Sequence, residues 1–237
     1  MIVHTMPQRT PEWHAQRAKC LLTASDAGQF LLKNDQRSKD ARLRRIFNYL
    51  CRDCYTGGDT MLIELAEKER KALDYNLAVQ RGNILESAAI ATLEEVIGQK
   101  VHPVGLITTA DGLFGASTDG LIGKKAIAEA KVPLPETHLS YIIEHQQTGQ
   151  MIDDYLLQVH MGLAISERDT CHFLSLSMPF TNSAGETVQH PHLHIEVKRD
   201  KFTDQVGAGL AALRDQLESV KLTLSAVHRA QRGKAVA

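Results

Sequence analysis

Ser117-Thr118-Asp119-Gly120-Leu121 is followed shortly by Glu129-Ala130-Lys131. Read as two β-strands, alternation puts Ser117 and Asp119 on one face and Glu129 and Lys131 on one face, while Ala126, Ala128 and Ala130 point the other way. Two carboxylates and an ammonium are expensive to bury without a metal ion or a partner. A divalent cation held by Asp119 and Glu129, with Lys131 beside it to polarise a water, would be a compact apparatus for hydrolysing phosphodiesters. Alone, the same residues also fit an ordinary hairpin with an exposed salt bridge. The surrounding sequence has to decide.

Arg81 to Leu93 carries apolar residues at 85, 89 and 93, the spacing of a helix, with Glu86 beside that stripe. Val101 to Thr109, Phe114 to Ile122 and Lys125 to Val132 read as strands, turned at Asp111-Gly112 and Gly123-Lys124. The expectation is a three-stranded meander preceded by a long helix and stopped by Pro133 and Pro135. Glu86, Asp119 and Glu129, with the backbone carbonyl of Ala130, then form a set of hard oxygen ligands suited to Mg²⁺ or Mn²⁺.

Further along, Glu136 to Gln147 and Asp153 to Ile165 read as helices, and Thr170 to Ser177 and His192 to Lys198 as strands. The chain closes with an amphipathic helix whose apolar positions are Phe202, Val206, Leu210, Leu213, Leu217 and Val220. Toward the start, Thr10 and Pro11 cap a helix running past Arg17. A second helix start at Thr23-Ala24-Ser25-Asp26 leads toward Leu32, so Ser25 with Arg17 would suit a phosphate at a helix N-terminus. Lys33 to Arg45 is the most basic stretch, either a solvated face or a surface that tracks a nucleic-acid backbone. Helices are expected over Ala41 to Cys54 and Met61 to Leu73.

The 237 residues are 43% hydrophobic and 23% charged with a net charge of −1, ordinary for a globular protein and too neutral for a cationic coat. No run approaches a membrane span and Met1 to Gln8 lacks a signal-peptide profile, so a cytoplasmic protein is expected. Four cysteines are too few for a disulfide scaffold, and Cys51-x-x-Cys54 has no second pair to complete a zinc site. His190, His192 and His194 alternate, but no complementary ligand pair accompanies them.

Glu86, Asp119 and Glu129-x-Lys131 resemble the PD-(D/E)xK nuclease signature, with Thr118 where the motif's name has proline. Arg17…Ser25, Arg81-Gly82…Glu86, Ser117-x-Asp119-Gly120 and Tyr155-Leu156-Leu157-Gln158 further resemble, in order and spacing, the phage lambda exonuclease family of YqaJ-like alkaline exonucleases. The resemblance spans roughly residues 9 to 200. It implies an α/β (α+β) fold with a restriction-endonuclease-like core, a central mixed β-sheet flanked by helices. One nuclease domain over 1–237 is expected, helical over about 1–98, with the sheet core over 99–200 and a C-terminal helix over 201–230.

The resemblance also implies a Mg²⁺-dependent 5′-to-3′ exonuclease that digests one strand of linear double-stranded DNA to mononucleotides. Mn²⁺ is expected to substitute. The 3′ single-stranded tail would serve recombination with a single-strand annealing recombinase, and the chain would close into a ring-shaped homotrimer. Carried over by residue, Asp119, Glu129 and Glu86 match the metal-site carboxylates, and Lys131 the catalytic lysine. Arg17, Ser25, Ser117 and Gln158 match groups that receive the terminal 5′ phosphate or line the site, with Tyr155 close by. The rivals are another PD-(D/E)xK nuclease cutting internally, and a DNA-end-binding module without catalysis.

Overall fold

The strand carrying Glu129 and Lys131 is enclosed on both faces, and the rest of the chain is arranged to cover it. The computed structural model describes residues 1–56 and 77–234, with side chains for 1–51 and 84–230. In it β6 (Ala126–Lys131) is buried along its length up to a half-buried Lys131. It lies inside a four-stranded mixed sheet in the order β10 (Leu193–Lys198), β7 (Thr170–Ser175), β6, β5 (Gly120–Ile122). β6 runs parallel to β7, and the two outer pairs are antiparallel.

One face of this sheet presents Ala126, Ala128, Ala130 and Leu174 to α3 (Leu77–Ile97), where Ala89 and Leu93 are fully buried. Small strand residues let the helix axis approach closely. The opposite face presents Ile127, Phe173 and Ile195 to α4 (Pro135–Thr148) and α5 (Asp153–Ser166). A mixed sheet with helices on both faces is the expected α/β class.

A second mixed sheet has the order β1 (Ile2–His4), β3 (Leu106–Thr108), β4 (Phe114–Ala116), β2 (Leu22–Thr23). Its core side chains Leu22, Ile107 and Phe114 pack with Ile46 of α2 (Gln36–Thr56), Met161 of α5 and Leu213 of α6 (Lys201–Lys234). A short hairpin, β8 (Phe180–Thr181) with β9 (Thr187–Val188), stands apart. Among the described residues no helix is long and apolar enough to cross a membrane.

Three expectations change. Phe114 to Ile122 is two strands in two different sheets, so the three-stranded meander does not form, and Ser117, Thr118 and Asp119 are the link that crosses between sheets. The crossing is forced where β5 meets the preceding chain. His102 and Leu121 exchange backbone hydrogen bonds at 2.8 Å each, and a side chain at Gly120 would lie 2.3 Å from Val101 Cγ1. Next, the N-terminal part is not wholly helical, since β1 and β2 flank the second sheet.

Finally, the helix expected from Thr23 to Leu32 is two short 3-10 turns, Ala24–Asp26 and Gln29–Leu31, separated by extended Ala27 and Gly28. Thr23 gives its hydroxyl to the Asp26 carboxylate at 2.6 Å and caps no backbone N–H. By contrast α1 (Pro11–Ala18) begins as expected, with Thr10 Oγ1 accepting the Trp13 N–H at 3.3 Å. The helix expected over Met61 to Leu73 and the Arg81 side chain lie outside the described residues.

Candidate active site

Glu129 is 4% exposed, and its carboxylate is held by two donors. Lys131 Nζ donates to Glu129 Oε1 at 2.5 Å and Gln158 Nε2 to the same oxygen at 2.6 Å. Strand and helix spacing produce this arrangement together. Ile127, Glu129 and Lys131 share one face of β6, and α5 lays Gly162, Gln158 and Tyr155 against them in reverse order. Gly162 lies by the Ile127 side chain, and the Lys131 ammonium stands 5.2 Å from the Tyr155 ring centre.

Asp119 reaches the same place from the other side. Its N–H donates to the Ala128 carbonyl at 3.0 Å, and its Oδ2 accepts the Ala130 N–H at 2.6 Å. The Lys131 carbonyl accepts the Leu176 N–H at 2.9 Å on the β7 side, so strand alternation turns the Ala130 carbonyl toward Asp119. Burial first, and then the Glu129 charge, pushes the Asp119 carboxyl up to about 8. Burial pulls the Lys131 ammonium down, but Glu129 and Asp119 more than offset it and raise its pKa. Lys131 therefore stays charged.

This donor set fits a hard divalent cation. A crowded carboxylate pair beside a backbone carbonyl is costly without positive charge, and oxygen ligands suit Mg²⁺ and Mn²⁺. Glu86 stands near enough for its charge to push the Asp119 carboxyl up as well, but its own carboxylate is engaged elsewhere. Arg9 Nη2 holds its carboxylate in an ion pair, and among the described residues no three acidic, imidazole or thiol side chains converge on one point.

Arg17, Ser25, Ser117, Glu129, Gln158 and Cys171 line one enclosed cavity of about 20 Å³, room for one water-sized group. Arg17 Nη2 donates to Thr23 Oγ1 at 2.9 Å and to Ser25 Oγ at 2.5 Å, with its guanidinium 5.2 Å from the Trp13 ring centre. Any anion grip here comes from these side chains, since a three-residue 3-10 turn lacks the aligned N–H groups of a helix start. The basic run is partly structural: Arg42 donates to the carbonyls of Phe30 and Lys33, the latter at 2.7 Å. The alternating histidines do not share a centre: His194 Nε2 lies 3.1 Å from His172 Nδ1, while His190 packs by Phe180.

A family model described as the YqaJ-like viral recombinase domain matches residues 12–169. The chain belongs to the YqaJ-like viral recombinase family. The stretch matched to that YqaJ-like domain contains Arg17, Ser25, Glu86, Asp119, Glu129, Lys131, Tyr155 and Gln158. Among solved structures, the fold is similar to the alkaline exonuclease LHK-Exo from Laribacter hongkongensis, at 26% identity and a TM-score of 0.59. That match covers 92% of this chain and all of the other. The same protein in complex with dAMP matches at 26% identity and a TM-score of 0.58, with the same coverage. No curated protein sequence matches the chain.

Two residues around the YqaJ-like site have no forerunner in the sequence reading. Gln8 donates its side-chain amide to the carbonyls of Val104 at 3.0 Å and Thr118 at 2.8 Å, and Arg9 pairs with Glu86. Both precede the matched stretch, and neither belongs to a periodic or charged pattern. Trp13 is the third contributor, donating Nε1 to Gly105 O at 2.8 Å and to Ser117 Oγ at 3.2 Å. As the sole tryptophan of the chain, four residues before Arg17, it was the one with a visible signal.

Proposed function

We propose that this chain is a Mg²⁺-dependent 5′-to-3′ exonuclease acting on ends of double-stranded DNA and releasing 5′-mononucleotides. The observation that carries the reading is the convergence of Arg17, Ser25, Ser117 and Gln158 with Glu129 on one cavity. Arg17 and Ser25 thus stand beside the Glu129 carboxylate, around a space for one water-sized group that a terminal phosphate would have to open. The solved relative in complex with dAMP holds a mononucleotide, the product class of such a digestion.

Asp119, Glu129 and the Ala130 carbonyl would hold the cation, with Mn²⁺ able to replace Mg²⁺, and Glu86 would join on release from Arg9. Bound there, the cation supplies Lewis acidity and positive charge at the scissile phosphodiester. Lys131 keeps its proton and offsets charge developing on the phosphate. Gln158 fixes the orientation of Glu129, and Tyr155 packs against the Lys131 ammonium. Arg17 and Ser25 receive the terminal 5′ phosphate and Ser117 lines the same cavity, which sets polarity by preferring ends over internal bonds.

On this reading the 3′ tail left behind feeds recombination with a single-strand annealing recombinase, and the active form is a ring-shaped homotrimer around DNA. Sedimentation at the mass of one chain at working concentration would contradict the ring. Linear duplex, with and without a 5′ phosphate, and a closed circle are incubated with wild-type and Lys131→Ala protein in Mg²⁺. Rapid loss of the 5′-phosphorylated linear duplex by wild type alone is expected. A Lys131→Ala protein as fast as wild type overturns the mechanism. Cleavage of the circle points to an endonuclease, and end binding without digestion to a module lacking catalysis.

A further inference from the structure

The peptide bond between Thr118 and Asp119 is held at both ends. Its carbonyl accepts the Gln8 amide at 2.8 Å, and its N–H donates to the Ala128 carbonyl on β6 at 3.0 Å. Residues 117–119 belong to neither sheet, so their backbone groups have to find partners elsewhere. Gln8 supplies one. A single nitrogen with two hydrogens bridges Val104, just ahead of β3, and Thr118, on the link that leaves β4.

Gln8 is delivered there by a close backbone crossing. The Met6 carbonyl passes Gly105 so tightly that a Cβ on residue 105 would lie 2.0 Å from the Met6 oxygen. On the far side of the crossing Trp13 ties Gly105 O to Ser117 Oγ. Residues 6–13 therefore clamp the link from outside the sheets, and Gln8 is the clamp member bonded to the peptide plane of Asp119.

We propose that Gln8 is a positioning residue for the metal site. By bridging the Val104 and Thr118 carbonyls, it sets where Asp119 stands relative to Glu129. The proposal rests on the metal-dependent nuclease reading above. The bridge needs a donor with two hydrogens, so Gln8→Glu is a sharp probe: it keeps the volume and places oxygens against two carbonyls. Gln8→Met keeps the volume without the repulsion and carries the same readouts should Gln8→Glu fail to fold.

Mn²⁺ is titrated calorimetrically into DNA-free protein, and kcat and KM are measured on linear duplex. The Gln8 variants should bind Mn²⁺ about tenfold more weakly and lose kcat by about as much, with KM for DNA held within about twofold. Leu213→Ala in the α6 core, compared at matched loss of thermal stability, should leave Mn²⁺ affinity unchanged. In an Asp119→Asn background the Gln8 substitution should add nothing to the loss of Mn²⁺ binding. In wild type the Asp119 amide should exchange slowly with solvent.

Gln8 variants that bind Mn²⁺ as wild type does, or an equal loss in the Asp119→Asn background, overturn the proposal. A fast-exchanging Asp119 amide does so without any variant. A wild-type protein that neither binds Mn²⁺ nor digests DNA overturns the underlying nuclease reading instead.

Discussion

Arg9 pairs its guanidinium with Glu86 while its own backbone sits in the left-handed region at φ 68°. A non-glycine residue there carries strain, and such outliers cluster at functional sites. With 43% and 27% of the two side chains exposed, the pair adds less than about 1 kcal/mol to stability. On the proposed metal-dependent reading its larger consequence is competition, since Arg9 holds a carboxylate that the cation would otherwise use.

Arg9→Ala should therefore tighten Mn²⁺ binding about three- to tenfold at low ionic strength, since removing a nearby cation frees Glu86 for another. Melting temperature should hardly move. The gain should vanish in Arg9→Ala combined with Glu86→Gln. Calorimetry finding equal affinity for wild type and Arg9→Ala would remove Glu86 from the metal site.

Asp119 predicts a pH dependence for the metal-free protein. Its carboxyl is pushed from 3.8 up to about 8, by burial first and the Glu129 charge second. The folded state holds that proton more tightly than the unfolded one. The associated stability is full below about pH 4 and is lost as pH rises through about 8. Asp119→Asn abolishes the loss. Its metal-free melting temperature should exceed that of wild type above about pH 8 and converge with it near pH 4, and added Mg²⁺ should raise only the wild type. Parallel melting profiles for the two proteins would refute this.

Gln158→Leu removes one of the two donors to a carboxylate that is 4% exposed. An under-bonded buried acceptor costs about 1–3 kcal/mol, more when it is charged. Chemical denaturation should register that loss, and digestion should slow further than end binding weakens. Unchanged stability would mean that the Glu129–Gln158 contact is not formed in solution.

Gly105→Ala should be severe for a one-carbon change. The added Cβ would meet the Met6 carbonyl at 2.0 Å, a backbone atom that has no rotamer to escape into. We expect more than about 3 kcal/mol of destabilisation in urea, above the usual range for an added methyl. Because Met6 leads into Gln8, Mn²⁺ affinity should fall with it. A near-neutral Gly105→Ala would show that residues 4–8 can be lifted away without cost.

Local periodicity made much of the fold legible. Leu85, Ala89 and Leu93 marked the buried face of α3, and Val206 to Leu217 that of α6, because one helix face meeting one sheet leaves a 3.6-residue trace. The Glu129 and Lys131 side of β6 was legible for the same reason at period two. Phe114 to Ile122 reads as one strand only if Asp119-Gly120 inside it is passed over as a turn signal, and the break itself is set by Val101 and His102 crowding Gly120 from elsewhere in the chain. Thr23-Ala24-Ser25-Asp26 has the composition of a helix start, yet the Thr23 hydroxyl goes to Asp26 and only a 3-10 turn forms, so Ser25 does not head a helix. Gln8 and Arg9 left no trace, since each acts on a partner far along the chain, Thr118 and Glu86.

Asp119 hangs from the link between two sheets, whereas Glu129 stands on an interior strand of one of them. On the proposed function the reaction centre is thus a gauge laid across a seam, and its reading depends on the alignment of the two sheets more than on the integrity of either. Mild heating or low urea should silence cleavage while circular dichroism still reports full secondary structure. Ligands or crosslinks that stiffen the seam should carry activity to higher temperature without raising the melting point of the interior sheet.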